Sequence, residues 1–264
     1  MTAPTPPKYT HGHHESVLRS HRWRTAENSA TYLLPHLRPG LSILDVGCGP
    51  GTITADLARL VAPGRVVGID PSPDIVAQAA ADHTEPNLSF QVGDVYALAD
   101  ATSEHFDVVH AHQVLQHLPD PVGALRAMRA VGTLVAARDS DYRAMTWHPA
   151  DPALDRWLDL YEDIARRNGG EPDAGRHLKA WANAAGFDDV AASASVWCFA
   201  APDEREWWGG LWADRMTSSA IATQAVDEHL ATREELDDLA AAWRRWAAHP
   251  DAWFAVLHGE VLCR

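Results

Sequence analysis

Lysine is almost absent from this chain of 264 residues, which has only Lys8 and Lys179. Lys and Arg together number 22 against 36 Asp and Glu, a formal charge of −14. The arginines are dispersed, and the tight basic pairs Arg166-Arg167 and Arg244-Arg245 sit inside acidic, helix-like stretches. An acidic body repels phosphate backbones unless it carries a concentrated basic patch. Nucleic acid is therefore not expected as a partner. Cysteine is scarce too: Cys48, Cys198 and Cys263 are odd in number, far apart and lack C-x-x-C spacing, so they read as reduced thiols. No apolar run approaches the roughly 20 residues of a membrane helix. Met1 to Thr10 is proline-rich and polar, unlike a secretory leader, and a cytoplasmic address without membrane contact is expected. His11, His13 and His14 lack a partnering carboxylate pattern and read as solvated, so no metal is expected.

What is present is a regular alternation between Leu41 and Arg138. Short apolar runs (Leu41–Val46, Arg65–Ile69, Leu88–Val92, Phe106–His110, Thr133–Ala137) alternate with helical segments (Thr52–Val61, Pro73–Asp82, Pro121–Val131). Ser72 precedes the second helix, while Asp120 and Pro121 mark the start of the third. This pattern predicts an α/β fold with a doubly wound parallel sheet, whose ligands bind at the carboxyl ends of the strands. Amphipathic helix is expected within His13–Leu37, then over Pro152–Arg167 and Gly175–Ala185. A strand should follow, ending at Phe199. Pro202–His249 reads as a long helical insertion containing a Thr232-Arg-Glu-Glu235 capping box, before a closing strand over Trp253–Cys263.

Leu44-Asp-Val-Gly-Cys-Gly-Pro-Gly51 joins the first strand to the first helix, where a backbone without side chains lets a nucleoside lie close to the sheet. The glycines run G-x-G-x-G at 47, 49 and 51, not the G-x-G-x-x-G of a pyrophosphate site, and no P-loop lysine follows. Asp45 beside the turn disfavours an anion and favours a cation. Asp70 ends the second strand, placed to accept from both ribose hydroxyls. Asp94 ends the third, placed to accept from an adenine amino group while the Val95 amide donates to a ring nitrogen. Together they describe an adenosine with a positive tail.

On these motifs the chain resembles the class I S-adenosylmethionine-dependent methyltransferases, and among them the small-molecule group similar to quinone-biosynthesis methyltransferases. The likeness is strongest over about residues 40 to 140 and includes the segment Phe106-Asp-Val-Val-His-Ala-His-Gln-Val-Leu-Gln-His-Leu-Pro-Asp-Pro121. It implies a Rossmann-like, seven-stranded sheet, mostly parallel with an antiparallel last strand, in a single domain: a helical cap (1–40), a cofactor-binding half (41–140) and a substrate half (141–264) with a helical insertion about 202–250. It implies S-adenosylmethionine as methyl donor and S-adenosylhomocysteine as product. The donor contacts would come from Asp45, Gly47, Cys48, Gly49, Gly51, Asp70, Pro71, Ser72, Asp94, Val95, His110, Ala111 and Gln113. The partner would be a small-molecule acceptor, with a homodimer left open. One departure stands out: Ala130-Val131 runs directly into Gly132-Thr133 without the family's lysine-proline-glycine-glycine turn. A helix reversing into a buried strand needs about 2–6 connecting residues, so a short missing segment is favoured over a shortened loop.

His110 and His112 at the end of the fourth strand, and Asp139 and Asp141 after the fifth, reach the edge where an acceptor would lose its proton. His112 and Asp139 are the candidate bases, with turn capping the alternative role for the two aspartates. His117 is expected to hold the strand-to-helix corner. Ten of the eleven tryptophans lie from Trp147 onward. Trp207, Trp208, Trp212, Trp243 and Trp246 recur at helical spacing, either packing helices onto a core or forming a lid over a flat acceptor. Tyr9 and Arg24 are further candidate contacts. The acceptor atom is left open between oxygen, nitrogen and carbon. The alternative function is a protein of this fold that binds the donor without transferring methyl, as a pericyclase or non-catalytic subunit.

Overall fold

The computed structural model describes residues 20–98 and 104–264, so Tyr9, the histidines at 11, 13 and 14, and the start of the expected cap lie outside the described residues. The elements run α1 (Ala26–Ser29), β1 (Ile43–Val46), α2 (Thr52–Val61), β2 (Val66–Asp70), α3 (Pro73–Asp82), β3 (Leu88–Val92), β4 (Phe106–His112), α4 (Pro121–Val131) and β5 (Gly132–Ser140). They continue with β6 (Thr146–His148), α5 (Pro152–Arg167), α6 (Ala174–Ala185), β7 (Val190–Phe199), α7 (Pro202–Ser218), α8 (Ala220–Asp227), α9 (Arg233–Ala248) and β8 (Trp253–Cys263).

The strands lie in the order β3-β2-β1-β4-β5-β8-β7, and the short β6 pairs with the start of β8 on the edge that β8 also presents to β5. The first five strands are parallel, and β8 runs antiparallel to β5, β6 and β7. The sheet has eight strands, not seven. The extra one is β6, which follows a 3-10 turn at Tyr142–Ala144 and pairs its three residues with Trp253–Ala255 of β8. Three residues of Thr-Trp-His carry too little alternation to read as a strand; the length of β8 provides the partner.

Local chemistry sets the helix starts. Ser72 Oγ accepts from the Ile75 N–H at 3.4 Å, Asp120 Oδ1 from Gly123 at 2.8 Å and Asp151 Oδ1 from Ala153 at 2.9 Å. Thr232 Oγ1 accepts from Glu235 N at 3.1 Å, but the Glu235 carboxylate is paired with Arg156 Nε at 2.7 Å, so one half of the expected capping box forms. The long insertion is three helices, broken at Ser219 and before Thr232. Between residues 20 and 37 the expected amphipathic helix is likewise fragmented. Thr25 caps the four-residue α1, Ala30 leaves helical geometry, and Pro35 opens a separate 3-10 turn. At the Val131–Gly132 junction α4 passes into β5 with no connecting residue. Gly132 is extended at φ −133°, where a Cβ would come within 2.5 Å of Val109 Cγ2.

The sheet's core is aliphatic, built from residues such as Ile43, Val109, Val135 and Leu125. The later half is held by indoles. Trp157, Trp212 and Trp243 are fully buried, with the Trp157 ring edge-on to both others at 4.5 and 4.8 Å. Trp243 and Trp246 therefore serve packing. Trp157→Ala removes the shared ring and is expected to cost about 3–5 kcal/mol, read as a lowered midpoint in urea unfolding followed by far-ultraviolet circular dichroism. A loss below about 1 kcal/mol would mean that the cluster does not hold this half together.

Candidate active site

β1 and β4 are neighbours, but β2 lies on one side of β1 and β5 on the far side of β4, so the strand order reverses direction between them. That switch point opens a crevice at the carboxyl ends. Here it is a cavity of about 280 Å³ running from the glycine turn to the indoles of β7 and α7.

Gly47, Gly49 and Gly51 have φ of 66°, 54° and 80°, left-handed values that explain three glycines in five residues. Their surroundings differ. A Cβ on Gly49 would meet nothing nearer than His21 Nδ1 at 3.9 Å, so the missing side chain leaves cavity space open. A Cβ on Gly51 would strike Phe90 Cζ at 2.6 Å; that glycine serves close packing and lies off the cavity wall. Asp70 Oδ2 accepts from Gly49 N at 3.2 Å and its Oδ1 from Ser72 N at 3.0 Å, which locks the carboxylate to the turn. Asp94 is held by the Tyr96 N–H at 3.0 Å. Pro71, Ser72, Val95 and Cys48 share the wall, and burial together with Asp45 and Asp70 raises the Cys48 thiol far above its ordinary range.

Asp45 also borders the cavity, but its oxygens are engaged. Oδ1 lies 2.7 Å from His110 Nδ1 and Oδ2 accepts from Thr54 Oγ1 at 2.6 Å. His110 and Ala111 are wholly buried inside β4 and do not reach the wall. His112, next on that face, does. It is 7% exposed, sits beside Trp197 and His258, and neither ring nitrogen has a hydrogen-bond partner. Burial, then Arg138 and Arg24, holds its pKa well below the usual histidine value. Gln113 has a left-handed φ of 53°, sustained on three sides. Its N–H donates to Arg138 O at 2.7 Å, its Oε1 accepts from Arg24 Nη2 at 2.6 Å, and its amide nitrogen meets His258 Nε2 at 2.9 Å. With His258 Nδ1 3.1 Å from Val256 O, the proton belongs on Nδ1 and Nε2 accepts.

Asp139 lies off the wall. Its Oδ1 accepts from Gln116 N at 3.2 Å, steadying the turn Leu115–His117, and burial pushes its carboxyl up to about 7. Asp141 caps the next turn through Ala144 N and is clamped by Arg176. His117 occupies the expected corner, yet its ring also lines the cavity, with burial and Arg24 lowering it to about 3. Sequence reasoning did not single out Gln116, Ser140, Trp197, Tyr142 or Arg215, all on the wall. Position at or after a strand end could have pointed to Gln116, Ser140 and Tyr142, and position on the insertion to Arg215; Trp197 lies within β7 and carried no such signal. Trp207, Trp208 and Trp212 line the cavity while packing on one another, so both readings of these rings hold. Residues 20–24 form a strap along the cavity, which Ser20, His21, Trp23 and Arg24 line. The His21 carbonyl accepts from Thr52 Oγ1 at 3.3 Å, and Trp23 packs against Trp197, Phe199 and Trp207.

A family described as a methyltransferase domain matches residues 37–155. A protein named as an uncharacterized methyltransferase of Schizosaccharomyces pombe is 34% identical over 271 residues, covering 96% of this chain and 95% of its own. A ubiquinone biosynthesis O-methyltransferase of Azorhizobium caulinodans is 44% identical over 103 residues, 38% of either chain. The solved structure of YjhP from Escherichia coli, 17% identical, superposes with a TM-score of 0.56 over 95% of this chain and 97% of that one, a likeness of fold. Because the S. pombe likeness runs the length of both chains, it embraces the tryptophan-rich half as well as the half that carries the glycine turn, and the protein belongs to the class I S-adenosylmethionine-dependent methyltransferases.

Proposed function

We propose that the protein transfers a methyl group from S-adenosylmethionine to a small, flat, partly apolar acceptor. One observation carries this reading: a single cavity joins a carboxylate-lined glycine turn to a wall of indole rings. The residues at the turn suit the donor. The open face of Gly49 leaves room for a ligand at the backbone, while Asp70 and Asp94 offer acceptors to ribose and adenine. Asp45 adds negative charge where a pyrophosphate would be repelled and a cation welcomed. When bound, the donor supplies an electrophilic methyl on a sulfonium.

The chain's own task is then alignment and exclusion of water. The indoles of Trp197, Trp207 and Trp208 provide flat apolar walls, and the strap at 20–24 adds Trp23, packed against Trp207, to them. His112 is the candidate that touches the acceptor. It is neutral because of its burial and nearby guanidinium groups, and both nitrogens are unengaged, so one accepts the acceptor's hydrogen bond and receives its proton as the nucleophile attacks. Asp139 is assigned to the fold, since its carboxylate holds the Leu115–His117 turn from beneath.

Three outcomes check this. Asp70→Ala should weaken S-adenosylmethionine binding by roughly tenfold or more in calorimetry; undiminished affinity would place the donor elsewhere. With an acceptor in hand, His112→Asn should lower kcat by about a hundredfold with donor affinity retained. An unchanged kcat would remove His112 from proton transfer, and donor uptake without S-adenosylhomocysteine formation from any flat acceptor would favour the non-transferring alternative. Asp139 keeps a proton up to about 7 in the folded chain that the unfolded chain has lost near the ordinary carboxylate value, so its contribution to stability falls as pH rises across that window. The stability of Asp139→Asn relative to the parent should therefore increase from about pH 4 to about pH 7 in denaturant titrations, and a constant difference would show that the carboxyl titrates normally.

A further inference from the structure

The Pro50 carbonyl is held from behind the cavity wall by the ring of His83, and from this contact we infer that His83 is a positioning residue for the methyl donor, fixing the left-handed turn whose open face at Gly49 admits the nucleoside. The inference rests on the methyl-transfer reading and assigns to the same site a residue that acts on the ligand only through the turn.

The turn needs such a hold. Gly47, Gly49 and Gly51 are left-handed, and glycine loses more conformational freedom on folding than any other residue. Cys48 N donates to Ile69 O at 2.9 Å and Gly49 N to Asp70 Oδ2 at 3.2 Å, which ties the first part of the turn to β2. Pro50 has no N–H to offer, and the α2 ladder starts one residue later, with Ala55 N donating to Gly51 O at 2.8 Å. The Pro50 carbonyl lies between these two anchors, and His83 Nε2 meets it at 3.0 Å. A carbonyl can only accept, so Nε2 carries the hydrogen and His83 donates.

The position of His83 in the fold gives the contact its leverage. It caps the end of α3, its own N–H donating to Ala79 O at 3.0 Å. At the start of the same helix Ser72, the N-cap, and Ile75 line the cavity. One helix thus bears part of the cavity wall at one end and grips the glycine turn at the other. Phe90 of β3 completes the grip. Its ring occupies the space that a Cβ on Gly51 or on Gly68 would need, with ring atoms 2.6 and 2.8 Å from those positions, and its centroid is 6.2 Å from that of His83. Neither His83 nor Phe90 borders the cavity, so a ligand does not compete for them. Asp70 differs. Its carboxylate holds Gly49 N and Ser72 N and also receives the ribose hydroxyls in the methyl-transfer reading, so a bound nucleoside shares that anchor while the hold of His83 on Pro50 stays undivided.

The test is calorimetry on the full chain titrated with S-adenosylhomocysteine. His83→Leu keeps an apolar side chain and removes the ring N–H; its affinity should fall about fivefold, the worth of one hydrogen bond, at the stoichiometry of the parent. His83→Gln, whose side-chain amide can donate to the same carbonyl, should recover most of the loss. A purely structural role would leave the affinity of the folded molecules intact and show only as a lower stoichiometry or a lower urea midpoint. Undiminished affinity in His83→Leu, a loss confined to stoichiometry, or His83→Gln as weak as His83→Leu would overturn the inference. Failure of the parent chain to bind S-adenosylhomocysteine is a separate result, which would overturn the methyl-transfer reading and this inference with it.

Discussion

The hydrogen bond between His110 Nδ1 and Asp45 Oδ1, 2.7 Å long and wholly inside the sheet, is the constraint on which the site rests. The two residues are register partners across β1 and β4, the strands between which the crevice opens. Thr54 on α2 engages the other Asp45 oxygen, so one carboxylate ties both central strands to the helix that follows the glycine turn. Leaving either partner unpaired there would cost several kcal/mol, on the order of 3–5 for a broken buried pair. The turn above it, with three left-handed glycines, can therefore keep its open face without support from side chains of its own.

From that fixed floor the cavity is completed by parts far apart in the chain. Gln113 takes its strained conformation because β5, the strap and β8 each hold one of its polar groups. The strap in turn leans on β7 and α7 through Trp23, while the Trp197 indole donates to Asn28 O at 2.6 Å. Trp23, Arg24, Asn28, Gln113, Trp197, Trp207 and His258 thus form one polar and aromatic network beside the cavity.

Much of the half that carries the glycine turn was legible in the sequence. The starts of α3 and α4 follow from Ser72, Asp120 and the prolines beside them, since caps and Pro at the first turn act over a few residues, while α2 begins where the glycine turn ends. β6 was not legible, because a three-residue strand exists only by pairing with β8. From residue 20 to Leu37, the described part of the expected helical segment, the pattern over-predicted continuous helix. From residue 20 onward the chain is bent to carry Trp23 and Arg24 across the cavity, and tertiary contact overrides the local period.

By itself the sequence determined the parallel α/β alternation, the three-glycine turn and the acids at the ends of β1, β2 and β3, all set by local sterics and strand periodicity. Only the tertiary structure decided which polar groups face the cavity. His110 and His112 share one face of β4, but His110 is sealed against Asp45 inside the sheet while His112, at the strand's end, meets the cavity; Asp139 and Ser140 are neighbours on opposite faces, so Ser140 lines the wall while Asp139 supports the turn beside it. It also decided that Arg24 and Arg215, almost two hundred positions apart, border the same indole wall. Such proximity is a property of packing, and no local rule encodes it.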